Sequence, residues 1–441
     1  MDTGRAKSHE DAMRILSQFG IQIEVGPEAE HSRDHQIAVL TLVNAARRTF
    51  LGGIRVRGVK PGRLLVPIAD TKCFAAAVQT LGAQIVEHPN KDWPLALIGS
   101  VSEIALGKPS WRLTWEGWRG GVLPARQEIS KLNDHALCAL APAVSAAVCA
   151  SEAFSFFAGD HPMAGRRAAG ISLWNPGKNW LTVDASERQV SLLPSRLWMI
   201  GLGNLGQAFL WLLAALPYAD RADVELVLQD FDLVASSNDS TSMLTQPPLI
   251  GQMKTRAISH WLEERDFRTV IEERRFGPWI QRNNFEPGAA ICGVDNPDAR
   301  RYLEDAGFGL VIEAGLGYGP QAFRNFSLHT FPSAFKAKKL WSHDDEKPVD
   351  KTMPAYSPSK HPELDECGLA QLASRSVGVP FVSLTAAGFV MAEILRRLNG
   401  GVALELVSGS MSCLDDIEVA HSVETPYQWG HAAAEVCVET F

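Results

Sequence analysis

An α/β fold made of two successive halves, each a mostly parallel sheet covered by helices, is what this sequence of 441 residues predicts. Three observations predict it. Short apolar runs alternate with helical patterns in both halves, the order that parallel strands joined by crossover helices require. Each half closes on a long helix rich in small residues, "HALCALAPAVSAAVCASEAFSFFAG" in the first and "FVSLTAAGFVMAEILRRLNGG" in the second. At the head of the second half, a strand runs into Gly201, Gly203 and Gly206, spaced G-x-G-x-x-G, and then into an apolar helix.

In the first half, assigned to residues 1–160, "QIAVLTLVNAARRTFLGG" has helical periodicity. The runs "GIRV", "RLLVPI" and "LALIGSV" read as strands, and "FAAAVQTLGAQIV" as a helix between them. No glycine triplet stands between the first strand and helix, so no phosphate cradle is expected there. Residues 161–194 turn polar and rich in Gly, Pro and Arg, which marks a connection, with a strand pair expected at "ISLWN" and "WLTVD". The similar close of both halves points to an old duplication.

The second domain, 195–441, begins with a strand at Leu197 to Ile200 and its glycine turn. Two glycines of such a turn let the backbone bend sharply and approach a phosphate, and the third allows close strand–helix packing; the helix start then offers amides to an anion. The next strand, "VELVLQD", ends in Asp230, 24 residues beyond Gly206, where an acid that accepts from ribose hydroxyls belongs. Further strands are "RTVIEERRF", "AAICGVD" and "LVIEAGL". From Ser333 to Glu366 the chain carries four prolines, many charges and little apolar periodicity; this crossover segment, 333–366, delivers Cys367.

Composition narrows the classes. A formal charge of −8 without a basic cluster argues against a nucleic-acid surface. The charged N-terminus lacks the apolar core of a signal peptide, and no uninterrupted apolar run has the length to span a bilayer. Seven scattered cysteines, an odd number, indicate reduced thiols and a cytoplasmic location. There is no C-x-x-C pair for a structural zinc.

Four features follow the glycine turn, each with a local alternative. In "QDFD", Asp230 accepts from ribose hydroxyls, with Asp232 beside it as a further cofactor-binding candidate, or the pair forms a strand-end turn or helix cap. Asn238 in "SSN" reaches a phosphate or simply forms a turn. Lys254 in "IGQMK" meets a phosphate as a point charge or is solvated. Asp295 in "GVDNPDARRYL" shares a Mg²⁺ with triphosphate oxygens, or caps the helix that follows.

In this order and spacing the set resembles the ThiF/MoeB and ubiquitin-activating enzyme superfamily, whose adenylation domain carries a glycine turn, D-x-D, S-N, "IG…K" and "DN…R". The resemblance covers Arg196 to Gly401 and places Gly201, Gly203, Gly206, Asp230, Asn238, Lys254, Asp295, Asn296 and Arg300 at family positions. It implies ATP and Mg²⁺ rather than NAD, with Asp295 as the metal carboxylate and Lys254 as a catalytic cation. It also implies a substrate carboxylate at the tail of a ubiquitin-like protein or of a peptide, and a Rossmann-like, ThiF-type fold in both halves. Residues 1–160 would be a degenerate, inactive adenylation half that stands in for the second subunit of a homodimer.

Thr241 replaces the phosphate-binding arginine of the family pattern, and Arg14, Arg47 and Arg48 are candidates for the arginine that reaches across from the partner half. Cys367 matches the position of the thioester-forming nucleophile, from which a conjugating enzyme would take the modifier. Asp365 and Glu366 beside it would raise its pKa, whereas Cys138, Cys149 and Cys292 read as small buried hydrophobes. Bacterial enzymes of this two-half type accompany ubiquitin-like proteins in antiviral operons. A peptide or sulfur-carrier adenylating enzyme without a thioester step, and a scaffold with a decayed nucleotide site, are the other readings.

Overall fold

Gly20–Val25 (β1) alternates isoleucine with Gln22 and Glu24, a pattern that alone suggests a half-exposed strand, yet all six residues are buried. The polar side chains pair instead of facing water: Gln22 Nε2 donates to Glu24 Oε1 at 3.3 Å, and Arg57 Nε to Glu24 Oε2 at 2.6 Å. These facts come from a computed structural model, which describes residues 6–88, 90, 92–101, 108–127, 129–317, 322–342 and 379–437.

β1 lies at the centre of the first sheet. Gly53–Arg57 (β2) and Gln84–Ile85 (β3) flank it on one side, and Leu95–Ile98 (β4) and Ser110–Gly117 (β5) on the other, all parallel. Arg119–Pro124 (β6) and Ala169–Ser172 (β8) then add antiparallel strands, and the short His135–Ala136 (β7) pairs with β5, giving the order β3-β2-β1-β4-β5-β6-β8.

The second sheet repeats that plan. Arg196–Ile200 (β10) is central, with Glu225–Gln229 (β11) and Arg268–Glu272 (β12) on one side. Ala289–Cys292 (β13), Leu310–Leu316 (β14), Asn325–Phe331 (β15), Leu404–Ser410 (β16) and Cys413–His421 (β17) complete the order β12-β11-β10-β13-β14-β15-β16-β17. The switch from parallel to antiparallel falls at the fifth strand in both sheets. A two-stranded ribbon pairs Leu192–Pro194 (β9) with Ala433–Glu435 (β18).

Four helices meet between the sheets: Arg33–Thr49 (α2) and Leu140–Ala158 (α4) from the first half, and Asn204–Ala215 (α5) and Pro380–Leu398 (α10) from the second. Their buried residues belong to one apolar cluster that runs through both halves. Burial of this kind contributes about 25 cal/mol per Å² of apolar surface, so neither half presents a finished core without the other. Polar contacts fix the register across the joint. Trp211 Nε1 donates to Thr41 Oγ1 at 3.0 Å, and Asn44 Nδ2 to the Met243 carbonyl at 3.0 Å.

Several expectations from the sequence need correction. "RLLVPI" forms no strand, only an isolated bridge from Arg63 to Cys73, and "WLTVD" is turn and irregular chain. The antiparallel strands β6, β15, β16 and β17 extend the sheets beyond the mostly parallel expectation: β6 and β16 carry glycine, and β15 and β17 mix Ser, His, Asp and Glu with their apolar residues, so no apolar run marks them. α4 has the length and mean composition to cross a membrane, although Ser145, Ser151 and Glu152 interrupt its apolar run; here its faces pack on α2, α10 and the first sheet, and most of it is buried.

Candidate functional site

The two switch points, where neighbouring strands leave the central strand in opposite directions, are where α/β sheets open a crevice at their carboxyl edge. In the first half that crevice is filled. β1 leads through Gly26 into a short 3₁₀ turn, Pro27–Glu30, and the carboxylate of Glu28 accepts from the Ser100 amide just past β4. Both Glu28 oxygens lie 3.0 Å from that nitrogen, an arrangement that puts negative charge where an anion would have to sit.

In the second half the equivalent crevice is built from glycine. Gly201 has φ +87°, a left-handed conformation that other residues adopt only at a cost, and its amide donates to the Gln229 carbonyl at 2.8 Å. A Cβ on Gly206 would run into the Gly201 carbonyl, so the third glycine is required by packing of turn on helix. Gly203 differs: a Cβ there meets nothing within 4 Å, which leaves a cradle at the start of α5 that any side chain would begin to fill. Beside it, both polar atoms of the Asn204 carboxamide are shielded from water and have no hydrogen-bond partner among the described residues. Such orphaned atoms cost about 1–3 kcal/mol. Asn204→Ala is therefore expected to leave stability unchanged or to raise it by about 1 kcal/mol, which urea unfolding measures. Nothing in the sequence marks Asn204, because it occupies one of the unspecified positions between the glycines.

Asp230, at the end of β11, is tied into the turn itself. Its Oδ2 accepts from the Leu202 amide at 2.7 Å and its Oδ1 from the Asp232 amide at 2.9 Å. Lys254, which begins the helix Lys254–Glu263 (α7), places its ammonium 2.9 Å from Asp232 Oδ2 and 3.9 Å from Asp230 Oδ2. Lys254 is only 8% exposed, so it is not a solvated surface lysine. Asn238 lies in the single-turn helix Ser236–Asp239 (α6), where its Oδ1 accepts from the Ala235 amide at 2.8 Å; its oxygen serves the local turn. Thr241 Oγ1 donates back to the Ser237 carbonyl at 3.2 Å.

Asp295 is exposed, and among the described residues no hydrogen bond or ion pair engages it. The capping role open to it goes to its neighbour: Asn296 Oδ1 accepts from the Asp298 amide at 2.8 Å and starts the helix Pro297–Arg300 (α8). Asp295 stands beside the glycine turn, because Gly201 packs against Gly293 and Val294, and the Gly293 amide donates to the Ile200 carbonyl at 2.9 Å. Arg300 Nε donates to the Val294 carbonyl at 2.8 Å.

The fold thus brings the glycine turn, Asp230, Lys254 and Asp295 to adjoining carboxyl ends of β10, β11 and β13. Among the described residues no group of three or more His, Cys, Asp or Glu side chains forms a metal site. Asp295 suits a Mg²⁺ that takes one carboxylate from protein and the rest of its oxygens from phosphates and water. The cradle at Gly203 and the unpaired Asn204 carboxamide fit a phosphate-bearing nucleotide on the same edge.

Of the three candidate arginines, Arg14 is paired with Asp11 on its own helix. Arg47 and Arg48, at the end of α2, cross to the other half: Arg47 meets Asp239 Oδ1 at 2.6 Å, and Arg48 donates to the carbonyls of Ser242 and Thr245 at 2.9 and 2.7 Å. Cys367, with most of the crossover segment, lies outside the described residues. Burial pushes the thiols of Cys138 and Cys292 up to about 12, and that of Cys149 higher still, as expected of inert core cysteines. Cys73 behaves oppositely, its thiol lowered by backbone amides of Ala76, Gly62 and Ala75 at the start of Phe74–Thr80 (α3).

Models of a BilD N-terminal domain and a BilD C-terminal domain match residues 20–173 and 193–401. A protein of Collimonas sp. (strain OK412) described as bacterial E1-like protein BilD is 52% identical over 438 residues, 98% of this chain and 94% of its own length. Among solved structures, Escherichia coli MccB bound to MccA-N7isoASN aligns with a TM-score of 0.34 at 12% identity, over 53% of this chain and 65% of its own. MccB bound to ATP aligns with the same TM-score and coverage at 13% identity.

Proposed function

The chain belongs to the BilD family, and on that premise we propose that it is an activating enzyme for a ubiquitin-like protein. It uses Mg-ATP to adenylate the modifier's C-terminal carboxylate, then forms a thioester on Cys367 for transfer to a conjugating enzyme. The observation that carries the reading is Asp295, an exposed carboxylate with no partner among the described residues, beside a glycine turn that holds an unfilled cradle. The description of the Collimonas relative as E1-like supports it.

In the first step a carboxylate oxygen of the modifier bonds to the α-phosphorus as the bond to pyrophosphate breaks. The turn amides and Lys254 hold the phosphates in line, and their fixed charge stabilises the transition state without moving. Asp295 would hold a Mg²⁺, which when bound would neutralise charge on the triphosphate. Asp230 and Asp232 keep Lys254 at the turn until a phosphate takes over as its partner. Arg47, two residues of chain from Thr241 through Asp239, brings the positive charge that the family places on an arginine at that point. In the second step the Cys367 thiolate attacks the acyl carbon and AMP leaves. The first half, its crevice taken by Glu28, is the inactive partner of the pair.

The test is ATP–pyrophosphate exchange by the purified chain, with Mg²⁺ and a candidate ubiquitin-like protein. Exchange that requires that protein's terminal glycine is the expected result. If the chain neither retains ATP nor exchanges pyrophosphate, the proposal is wrong.

A further inference from the structure

Glu313 is a carboxylate in the middle of β14 with no exposed surface, two strands away from the glycine turn. Burying a charge there costs several kcal/mol unless partners offset it, and replacing such a group with an apolar one is often neutral or stabilising. Its partners are specific. His329, opposite it on β15, brings Nδ1 to 3.0 Å from Oε2. Arg300 brings Nε to 3.0 Å from Oε1 as an ion pair; the one Nε–H donates to the Val294 carbonyl at 2.8 Å, so among the described residues Oε1 accepts no hydrogen bond and is held by charge alone.

The guanidinium is enclosed on its other sides. Trp341 lies with its ring centroid 5.7 Å from the Arg300 guanidinium carbon and packs edge-on to His329. Gly315 leaves the space beside it, since a Cβ there would come 3.1 Å from Arg300 Nη1. Asp295 consequently lies between two anchored neighbours: Val294, held through its carbonyl by Arg300, and Asn296, held by its cap on α8.

We propose that Glu313 is a positioning residue for metal-nucleotide binding: through Arg300 it holds the Val294 carbonyl, and so presents the Asp295 carboxylate to Mg²⁺ on the nucleotide. This rests on the reading of Asp295 as the metal ligand. Partners that orient a ligand from behind typically change metal affinity by about 10–100-fold.

The experiment is a double-mutant cycle over Glu313→Gln, Asp295→Asn and the pair, read by the free Mn²⁺ signal in electron paramagnetic resonance with ATP present. Binding of ATP without metal and urea unfolding are measured alongside. Glu313→Gln is nearly isosteric, and is expected to weaken Mn²⁺–ATP binding about 10-fold while metal-free ATP binding holds. The double variant should bind no more weakly than Asp295→Asn, because both changes act through one carboxylate. Wild-type affinity in Glu313→Gln, or losses that add in full, would overturn the inference. If Glu313→Gln fails to fold, Arg300→Lys replaces it in the cycle, since an ammonium cannot take up the planar, enclosed geometry of the guanidinium. Should Asp295→Asn itself leave Mn²⁺–ATP binding intact, the metal reading falls first and this inference with it.

Discussion

Asp295→Asn is expected to lower ATP–pyrophosphate exchange by about 10²–10³-fold, the scale of losing one fixed electrostatic contact to a transition state. Its stability should remain within about 0.5 kcal/mol of the parent. The two expectations separate because of where Asp295 sits. It is exposed and has no partner among the described residues, so removal of its charge strands no buried group there, and Asn296 keeps the helix cap. Lys254 offers no such separation. It is 8% exposed and lies against Asp232 and the buried Asp230, so truncating it leaves a cavity and removes the cation nearest Asp230, which keeps only its two amide hydrogen bonds, and any lost activity would be mixed with lost stability. Raising Mg²⁺ should partly restore the Asp295→Asn variant, because triphosphate oxygens and water still supply the remaining ligands. Unchanged exchange in this variant would remove Asp295 from the reaction.

Cys367→Ala is expected to abolish any adduct with the ubiquitin-like protein that reducing agents cleave, while pyrophosphate exchange persists, because adenylation needs no thiol. Gel analysis with and without dithiothreitol checks the first outcome, and the exchange assay the second. An adduct that survives would have to use another accessible thiol. Among the described residues these are Cys73, Cys413 and Cys437, of which Cys73 has the lowered pKa that favours attack. Cys138, Cys149 and Cys292 are excluded by burial. If no adduct forms even in the parent chain while exchange proceeds, the chain is an adenylating enzyme of the peptide or sulfur-carrier kind.

Much of the second half was legible before the structure. β10, the glycine turn and α5 combine three local signals in a row: an apolar run, residues required by backbone geometry, and a helix apolar on most faces. Parallel strands such as β11 and β13 are buried on both faces and read as short apolar runs. The antiparallel strands were not legible, because β15 and β17 mix Ser, His, Asp and Glu with their apolar residues and owe their pairing to neighbours far along the chain. Asp295 shows the limit at a single residue. "DN" before a helix leaves the cap open to either side chain, and only coordinates assign it to Asn296.

Residue order by itself determined the elements whose signal is local: the turn at Gly201–Gly206, the acids that follow β11, the lysine at the head of α7, and the inert character of three core cysteines. Tertiary structure decided what depends on contacts between distant segments. It alone revealed that both sheets share one strand order, that Glu28 fills one crevice while Gly203 leaves the other open, and that Arg47 and Arg48 cross between halves. The same holds for Glu313, which reads in sequence as a charge interrupting a strand and becomes intelligible only with Arg300 and His329 beside it. The reason is physical. Backbone preference and apolar periodicity act within a few residues, whereas the cost or benefit of a buried charge is set by partners that chain folding alone brings within hydrogen-bond distance.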